Sequence, residues 1–272
     1  MKQKVHYKIF LLLFGAVFLY PMVWMILTSF KGKSEFYINP FGLPKEWVFT
    51  NYGDALNSLN VFKYSLNSLL YTAGTCFVTL LFGSMLAYFV TRMNFRHSQK
   101  ILLYLNIGLV IPIQVVMIPL YMMIMNLGLK GTRISLILPY SAFQLASTVL
   151  MLSAFMSSLP RELEEAAAID GCNVYQAFFC IIFRIIKPAV ITRGVFIFIS
   201  IWNEFAIAQV LGNAEKMKPI TVALQSFFLS VGVSHWGLIG AAVVLTSLPS
   251  IIIYCFGNKQ IENALTAGAV LK

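Results

Sequence analysis

Ile9-Phe10-Leu11-Leu12-Leu13-Phe14-Gly15-Ala16-Val17-Phe18-Leu19-Tyr20-Pro21-Met22-Val23-Trp24-Met25-Ile26-Leu27-Thr28-Ser29-Phe30 contains no charged side chain. A helix of about 20 apolar residues crosses the hydrocarbon core of a bilayer, so this run is long enough to span one. Lys2, Lys4 and Lys8 precede it, as in the basic start of a signal peptide. The apolar run is too long for a signal sequence and has no small-x-small cleavage site, so it reads as a retained anchor.

Five further stretches qualify outward from it: residues 64–91, 101–125, 134–157, 189–211 and 236–257. The whole composition agrees. Of 272 residues 59% are hydrophobic and 11% charged, with a mean hydropathy of +0.79; ordinary globular chains are about 25% charged. So few polar side chains cannot cover a soluble surface. Disordered, collagen-like and small disulfide-stapled chains are excluded by the same figures. The expected fold is an all-α integral membrane protein, one transmembrane domain over residues 1–272 with six spanning helices. Pro21, Pro112, Pro119, Pro139 and Pro249 fall inside the spans. Such breaks are tolerated where neighbouring helices or a water-filled cavity satisfy the freed backbone, which suits a moving channel wall.

The net charge of +10 would suggest nucleic acid in a soluble protein, but in a membrane chain it sets orientation. Twelve basic residues lie on one side: Lys2, Lys4, Lys8, Arg92, Arg96, Lys100, Arg161, Arg184, Lys187, Arg193, Lys259 and Lys272. Eight lie on the other: Lys31, Lys33, Lys45, Lys63, Lys130, Arg133, Lys216 and Lys218. Six spans with this bias place both termini in the cytoplasm. The segment 31–62 is then outside, and its Phe36, Tyr37, Phe41, Trp47, Phe49 and Tyr52 suit either an aromatic belt or an external partner. Cys76, Cys172, Cys180 and Cys255 form no CxxC pair; Cys76, Cys180 and Cys255 read as small apolar helix residues.

Between the fourth and fifth spans, residues 159–188 break the apolar pattern. Leu159-Pro160-Arg161-Glu162-Leu163-Glu164-Glu165-Ala166-Ala167-Ala168-Ile169-Asp170-Gly171-Cys172 holds four of the ten acidic residues. Pro160 suits a first helical turn, and Glu162, Glu164 and Glu165 sit at the favourable positive end of the helix dipole. Gly171 is a natural stop. A short helix over 160–170 follows, with a small-residue face at Leu163, Ala166 and Ala167. That face serves either docking of a soluble partner or packing on its own chain. Asn173 and Gln176 read as a capping box opening a second helix. Val174, Ala177, Phe178, Ile181, Ile182 and Ile185 form its apolar stripe, which stops before Pro188.

Glu165-Ala166-Ala167-x-x-Asp170-Gly171 resembles the EAA motif of bacterial ABC importer permeases. Phe49-x-Asn51-Tyr52, Tyr64-x-x-Asn67-Ser68, Ala87-Tyr88 with Arg92, Ile118-Pro119-Leu120-Tyr121, Trp202-Asn203-Glu204 and Gly268-Ala269-Val270 resemble the carbohydrate branch, the maltose- and glycerol-phosphate-type permeases. The matches keep the family's order over nearly the whole chain. The resemblance implies the permease fold with a cytoplasmic coupling helix, in which Glu165, Ala166, Ala167, Asp170 and Gly171 dock into an ATPase. It also implies a second homologous permease, a dimer of ATP-binding subunits that hold ATP and magnesium, an extracytoplasmic sugar-binding protein, a carbohydrate substrate and residence in the bacterial cytoplasmic membrane. Phe183-Arg184 stands where the family usually has Leu-Pro, and the tail ends Val270-Leu271-Lys272 rather than Val-Lys-Gly.

Polar side chains inside spans are costly, so Asn67, Gln114, Gln144, Asn203, Glu204 and Gln209 are candidates for function. The amides suit sugar hydroxyls and Trp202 suits stacking on a sugar face; the alternative is helix-to-helix hydrogen bonding. The substrate-pathway set is Asn67, Gln114, Gln144, Trp202, Asn203 and Glu204. There is no GxxxxGK[ST] motif, the histidines His6, His97 and His235 are far apart, and no nucleophile triad is evident, so no catalytic, metal or cofactor site is expected. A secondary transporter would need coupling acids and internal repeats, and Glu204 is the only acid in a span. A non-sugar solute remains a second alternative. The helix–Gly–helix of 160–186 is too apolar to read DNA.

Overall fold

The computed structural model describes residues 2–93, 95–212, 214–232 and 235–270, with side chains for 8, 10–93, 95–212, 214–232 and 235–258. Lys2, Lys4, Lys259 and Lys272, which contribute to the expected orientation, and the Gly268-Ala269-Val270 match lie outside the described side chains.

All the regular structure of the described residues is helical: α1 (Lys2–Ser29), α2 (Glu35–Ile38), α3 (Thr50–Ser58), α4 (Val61–Arg92), α5 (Ser98–Val110), α6 (Ile113–Asn126), α7 (Ile134–Ser157), α8 (Glu162–Ile169), α9 (Val174–Ile185), α10 (Lys187–Trp202), α11 (Ala206–Leu211), α12 (Ile220–Val231) and α13 (Trp236–Val270). Among the described residues, four helical stretches are long and apolar enough to cross a membrane: Phe10–Ser29, Val61–Arg92, Ile134–Ser157 and Trp236–Asn258. Two bent pairs, α5 with α6 and α9 with α10, raise this to six if each crosses as one span.

Three expectations change in detail. The stretch 101–125 is not one helix, because α5 and α6 meet at 103°. Pro112 has no N–H to donate and pushes Ile111 into extended backbone, with ψ 116°. Pro21, Pro119, Pro139 and Pro249 leave their helices continuous. The stretch 189–211 is also divided: α10 starts at Lys187 with Pro188 in its first turn, ends at Trp202, and α11 resumes at Ala206. Finally, 212–235 is more than a connector. It contains α12, too short to span, which buries Ile220, Val222, Ala223 and Phe227 at helical spacing.

The chain divides into two compact units. In the first, residues 1–65 with 220–248, the end of α1 is tied down by side chains. Asn51 Nδ2 donates to the carbonyls of Ser29 and Lys31 at 2.9 and 3.0 Å, and Tyr52 meets the Ser29 hydroxyl at 2.6 Å. Lys31 is buried, and its Nζ donates to the carbonyls of Asn39 and Pro40. Burial holds its ammonium below the ordinary lysine range, with Glu35 pulling the other way. Phe30 gathers Trp47, Phe49 and Tyr52, while Phe36 stacks on Trp236. Tyr37, Phe41, Trp47 and Phe49 nonetheless stay exposed.

In the second unit, residues 66–219 with 249–272, two apolar clusters form the core. One gathers Ala87, Tyr88, Val149, Leu152, Met156, Phe178, Ile182 and Ile186; the other gathers Tyr71, Ile124, Leu136, Tyr140, Ile197, Ile201, Ile207 and Leu211. Lipid is as apolar as leucine, so helices associate here through close packing rather than water exclusion. Gly83 provides such a site: a Cβ there would lie 2.8 Å from Thr148 Cγ2 on α7. Gly83→Val is therefore expected to cost about 1–3 kcal/mol by overpacking and lower the melting temperature in detergent. Gly108→Ala, with open space around it, should leave that temperature where it was; equal melting of the two variants would rule out tight α4–α7 contact.

Candidate functional site

The first site is the α7–α9 connection. Helix α8 opens with Glu162, Glu164 and Glu165 in its first turn and ends in a double hydrogen bond. Gly171 N donates to Ala168 O at 3.1 Å and Cys172 N to Ala167 O at 2.9 Å, with Gly171 at φ +80°. This is a Schellman closure, and only glycine takes that backbone without strain. The capping box is present as expected: Asn173 and Gln176 exchange two 2.9 Å bonds.

The exposed face differs from the small-residue face expected. Ala167 is only 2% exposed, and Leu163 packs against the first apolar cluster. Glu165, Ala166, Asp170 and Gly171 face outward together with Ile169, which is 87% exposed. The stripe of α9 shifts too. Residues 177–182 wind as a π-helix, so Ala177, Phe178, Ile182 and then Ile186 are buried, while Val174 and Ile185 are exposed. A π turn takes more residues than an α turn, and this moves the buried face off the 3.6-residue pattern. Arg184 is exposed.

One side chain reaches this connection from elsewhere. Arg92, the last residue of α4, donates Nε and Nη2 to the two carboxylate oxygens of Glu164 at 2.7 and 2.6 Å. Its Nη1 donates to Leu159 O and Met156 O and its Nη2 also to Pro160 O. Such a fork-on-fork pair is among the stronger protein hydrogen bonds. The sequence marked Arg92 only as part of a motif and gave no sign of its partner.

The second site lies in the spans. Gln144 Nε2 on α7 donates to Ser200 Oγ at 2.7 Å, and Asn203 Nδ2 donates to Ser250 Oγ at 3.2 Å. Ser200 and Asn203 are exposed and stand three residues apart at the end of α10, so they share a face. Gln144 also accepts from Arg193 Nη2 at 2.6 Å. Arg193 is buried, and Thr148, Ser147 and the Gln144 carbonyl complete its partners.

The other expected pathway residues do not join this strip. Trp202 is 3% exposed and stacked on Phe198, closed to a passing ligand. Asn67 is buried, its amide spent on the carbonyls of Lys216 and Lys218. Glu204 accepts from the Tyr140 hydroxyl at 2.7 Å and from Ile207 N and Ala208 N, capping α11 across the break. Gln114 is exposed in the first turn after the Pro112 bend. Ser200 and Ser250 were not anticipated, since a lone serine in an apolar run gives no signal.

Residues 79–266 match the family described as "Binding-protein-dependent transport system inner membrane component". The chain belongs to that family. It is 32% identical over 259 residues to the diacetylchitobiose uptake system permease protein NgcG of Streptomyces coelicolor, covering 95% of this chain and 86% of that one. It is 28% identical to the sulfoquinovosyl glycerol transport system permease protein SmoH of Agrobacterium fabrum, over 93% and 88% of the two chains. The fold matches a solved structure described as a bacterial ABC transporter involved in the import of the acidic polysaccharide alginate. That match has a TM-score of 0.84 and 24% identity, over 94% and 95% of the chains.

As a member of this family of membrane components, the chain is a multi-pass membrane protein of a binding-protein-dependent transport system, and ATP hydrolysis belongs to a separate subunit. The family match takes in Arg92, α8, Arg193 and the Gln144–Ser200 strip. Arg193 is the costliest of these to leave unsatisfied. Gln144→Leu should destabilise the protein by about 1.5–3 kcal/mol, the usual worth of a bond to a charged group, read as a lower melting temperature in detergent. Adding Arg193→Met should restore part of that loss. Melting unchanged by Gln144→Leu would remove the pairing from the stability account.

Proposed function

We propose that this chain is one permease of an ATP-driven carbohydrate importer in the bacterial cytoplasmic membrane. The exposed tip of α8 docks into a cytoplasmic ATPase. A second related permease completes the pathway, two ATP-binding subunits hold ATP and magnesium, and a soluble binding protein delivers sugar on the other face. In this arrangement the chain crosses the membrane six times, each bent pair counting once, with both termini in the cytoplasm.

The observation that carries the reading is α8 itself: eight residues with one face packed on the chain and the other bare, closed by Gly171, with Ile169 exposed beside Glu165 and Asp170. Ile169 is exposed together with Ala166 and Ala168, and an apolar patch rimmed by Glu165 and Asp170 suits the surface of a partner. Glu165, Ala166, Asp170 and Gly171 border Ile169, and Ala167 supports it from beneath. The carbohydrate reading draws on the relatives named above and on the strip of Gln144, Ser200, Asn203 and Ser250. Amides and hydroxyls facing out of an apolar span belong to a water-filled path rather than to lipid, and they suit sugar hydroxyls. An ion-coupled carrier finds less support, because the Glu204 carboxylate is already held by Tyr140 and the start of α11.

Ile169→Glu and Gly171→Asp should each weaken ATPase association by about 2 kcal/mol, some 30-fold, with membrane insertion intact. Copurification of the ATPase at wild-type yield with normal uptake would defeat the docking assignment. Binding-protein-dependent ATP hydrolysis screened over di- and oligosaccharides identifies the solute, and uptake driven by an ion gradient without any ATPase would defeat the importer reading.

A further inference from the structure

Helix α4 differs from the bent paths α5–α6 and α9–α11 in one mechanical respect. The path from α5 to α6 turns at Pro112, α9 to α10 turns by 74° at Ile186, and α10 to α11 breaks at 203–205. Helix α4 runs 32 residues without proline or interruption. Toward each of its ends, side chains of α4 hold backbone carbonyls of another segment. At one end Arg92 grips Met156 O, Leu159 O, Pro160 O and the Glu164 carboxylate. Its side chain is 5% exposed and that of Glu164 is 21% exposed. At the other end Asn67 donates to Lys216 O and Lys218 O, and Tyr71 donates to Met217 O at 2.8 Å. Three consecutive carbonyls of the segment after α11 are thus held by a single helix face. Asn67 and Arg92 are separated by 25 helical residues, about 38 Å at 1.5 Å per residue.

We propose that α4 is the strut that carries movement of α8 to the segment 216–218, and that Arg92 is the positioning residue that joins α8 to it through Glu164. A displaced α8 must either take α4 with it or strip a nearly buried guanidinium of its carboxylate and three carbonyls, and the second is the costlier course. The bends at 112, 186 and 203 let the neighbouring helices yield while α4 moves as one piece. The far grip lies beyond the end of α11, whose start Glu204 caps immediately after Asn203 of the polar strip. Motion begun at the ATPase therefore arrives at the segment that follows the candidate sugar path. This rests on the importer reading above.

The test reconstitutes the complete complex in liposomes with its ATPase, second permease and binding protein, and reads sugar imported per ATP hydrolysed. Glu164→Gln keeps shape and removes the charge; Arg92→Lys keeps the charge and removes the fork; Asn67→Leu loosens the far grip. Each is expected to lower that ratio about tenfold, within the usual range of coupling between sites, with the ATPase still copurifying. The double variant Arg92→Lys/Glu164→Gln should fall no further than the worse of its single changes, since both remove one interaction. A merely structural role would lower hydrolysis and import together and leave the ratio unchanged. Ratios like wild type in Glu164→Gln and Asn67→Leu overturn the strut, and these two decide the matter if the Arg92 variants fail to accumulate. A wild-type complex with no binding-protein-dependent hydrolysis or import would instead overturn the importer reading.

Discussion

Hydrocarbon offers no water to a bare carbonyl or N–H, and most of the ordered detail of this chain answers that shortage. Every interruption of a helix frees backbone groups, and at several of them a side chain is aimed at what is freed. Asn51 takes the carbonyls of Ser29 and Lys31 at the end of α1. Arg92 takes those at the end of α7, and the Glu204 carboxylate takes the first N–H groups of α11. Asn67 and Tyr71 take the segment at 216–218. Asn67 and Glu204, which look anomalous in apolar runs, are means by which irregular backbone survives there.

The same constraint separates structural from exposed polar groups. The Asn67 amide group and the Glu204 carboxylate are held by their own chain, and Trp202 is enclosed. Gln144, Ser200, Asn203 and Ser250 are tied to one another, yet Ser200 and Asn203 still face outward. Satisfied internally, they tolerate a membrane setting; left partly open, they retain capacity for a polar visitor. Arg193 shows the other solution. Among the described residues its hydrogen-bond acceptors are neutral, so the hydroxyls of Ser147 and Thr148 and both oxygens of Gln144 do the work of a counter-ion.

Length and charge made the all-helical membrane class readable, because an uncharged run such as 9–30 has few other uses. The closure at Gly171 and the capping box at Asn173 were readable for the same local reason: each needs a particular residue at a fixed spacing. What escaped was set by context. Among the prolines in apolar runs, Pro112 turns the chain and Pro119 does not, though both lack the same N–H. The π turns of α9 moved its buried face, and no residue type announces them. Arg92 and Glu164 lie 72 positions apart, as do most partners whose meeting depends on the completed fold.

A transporter must be soft in some places and stiff in others, and the two kinds of segment differ here in composition. The bends fall at Ile111 before Pro112, at Ile186 ahead of Pro188, and at the break of 203–205, after which Glu204 caps the next helix. The long α4 has instead small residues at Gly74 and Gly83, which bring α7 close without breaking the hydrogen-bond ladder. Close packing of two unbroken lengths resists bending, because any curvature opens voids along a contact that lipid cannot fill as well. The bends at Pro112 and ahead of Pro188, the recapped break at 203–205 and the close packing at Gly74 and Gly83 then answer to one requirement, that no backbone group be left bare.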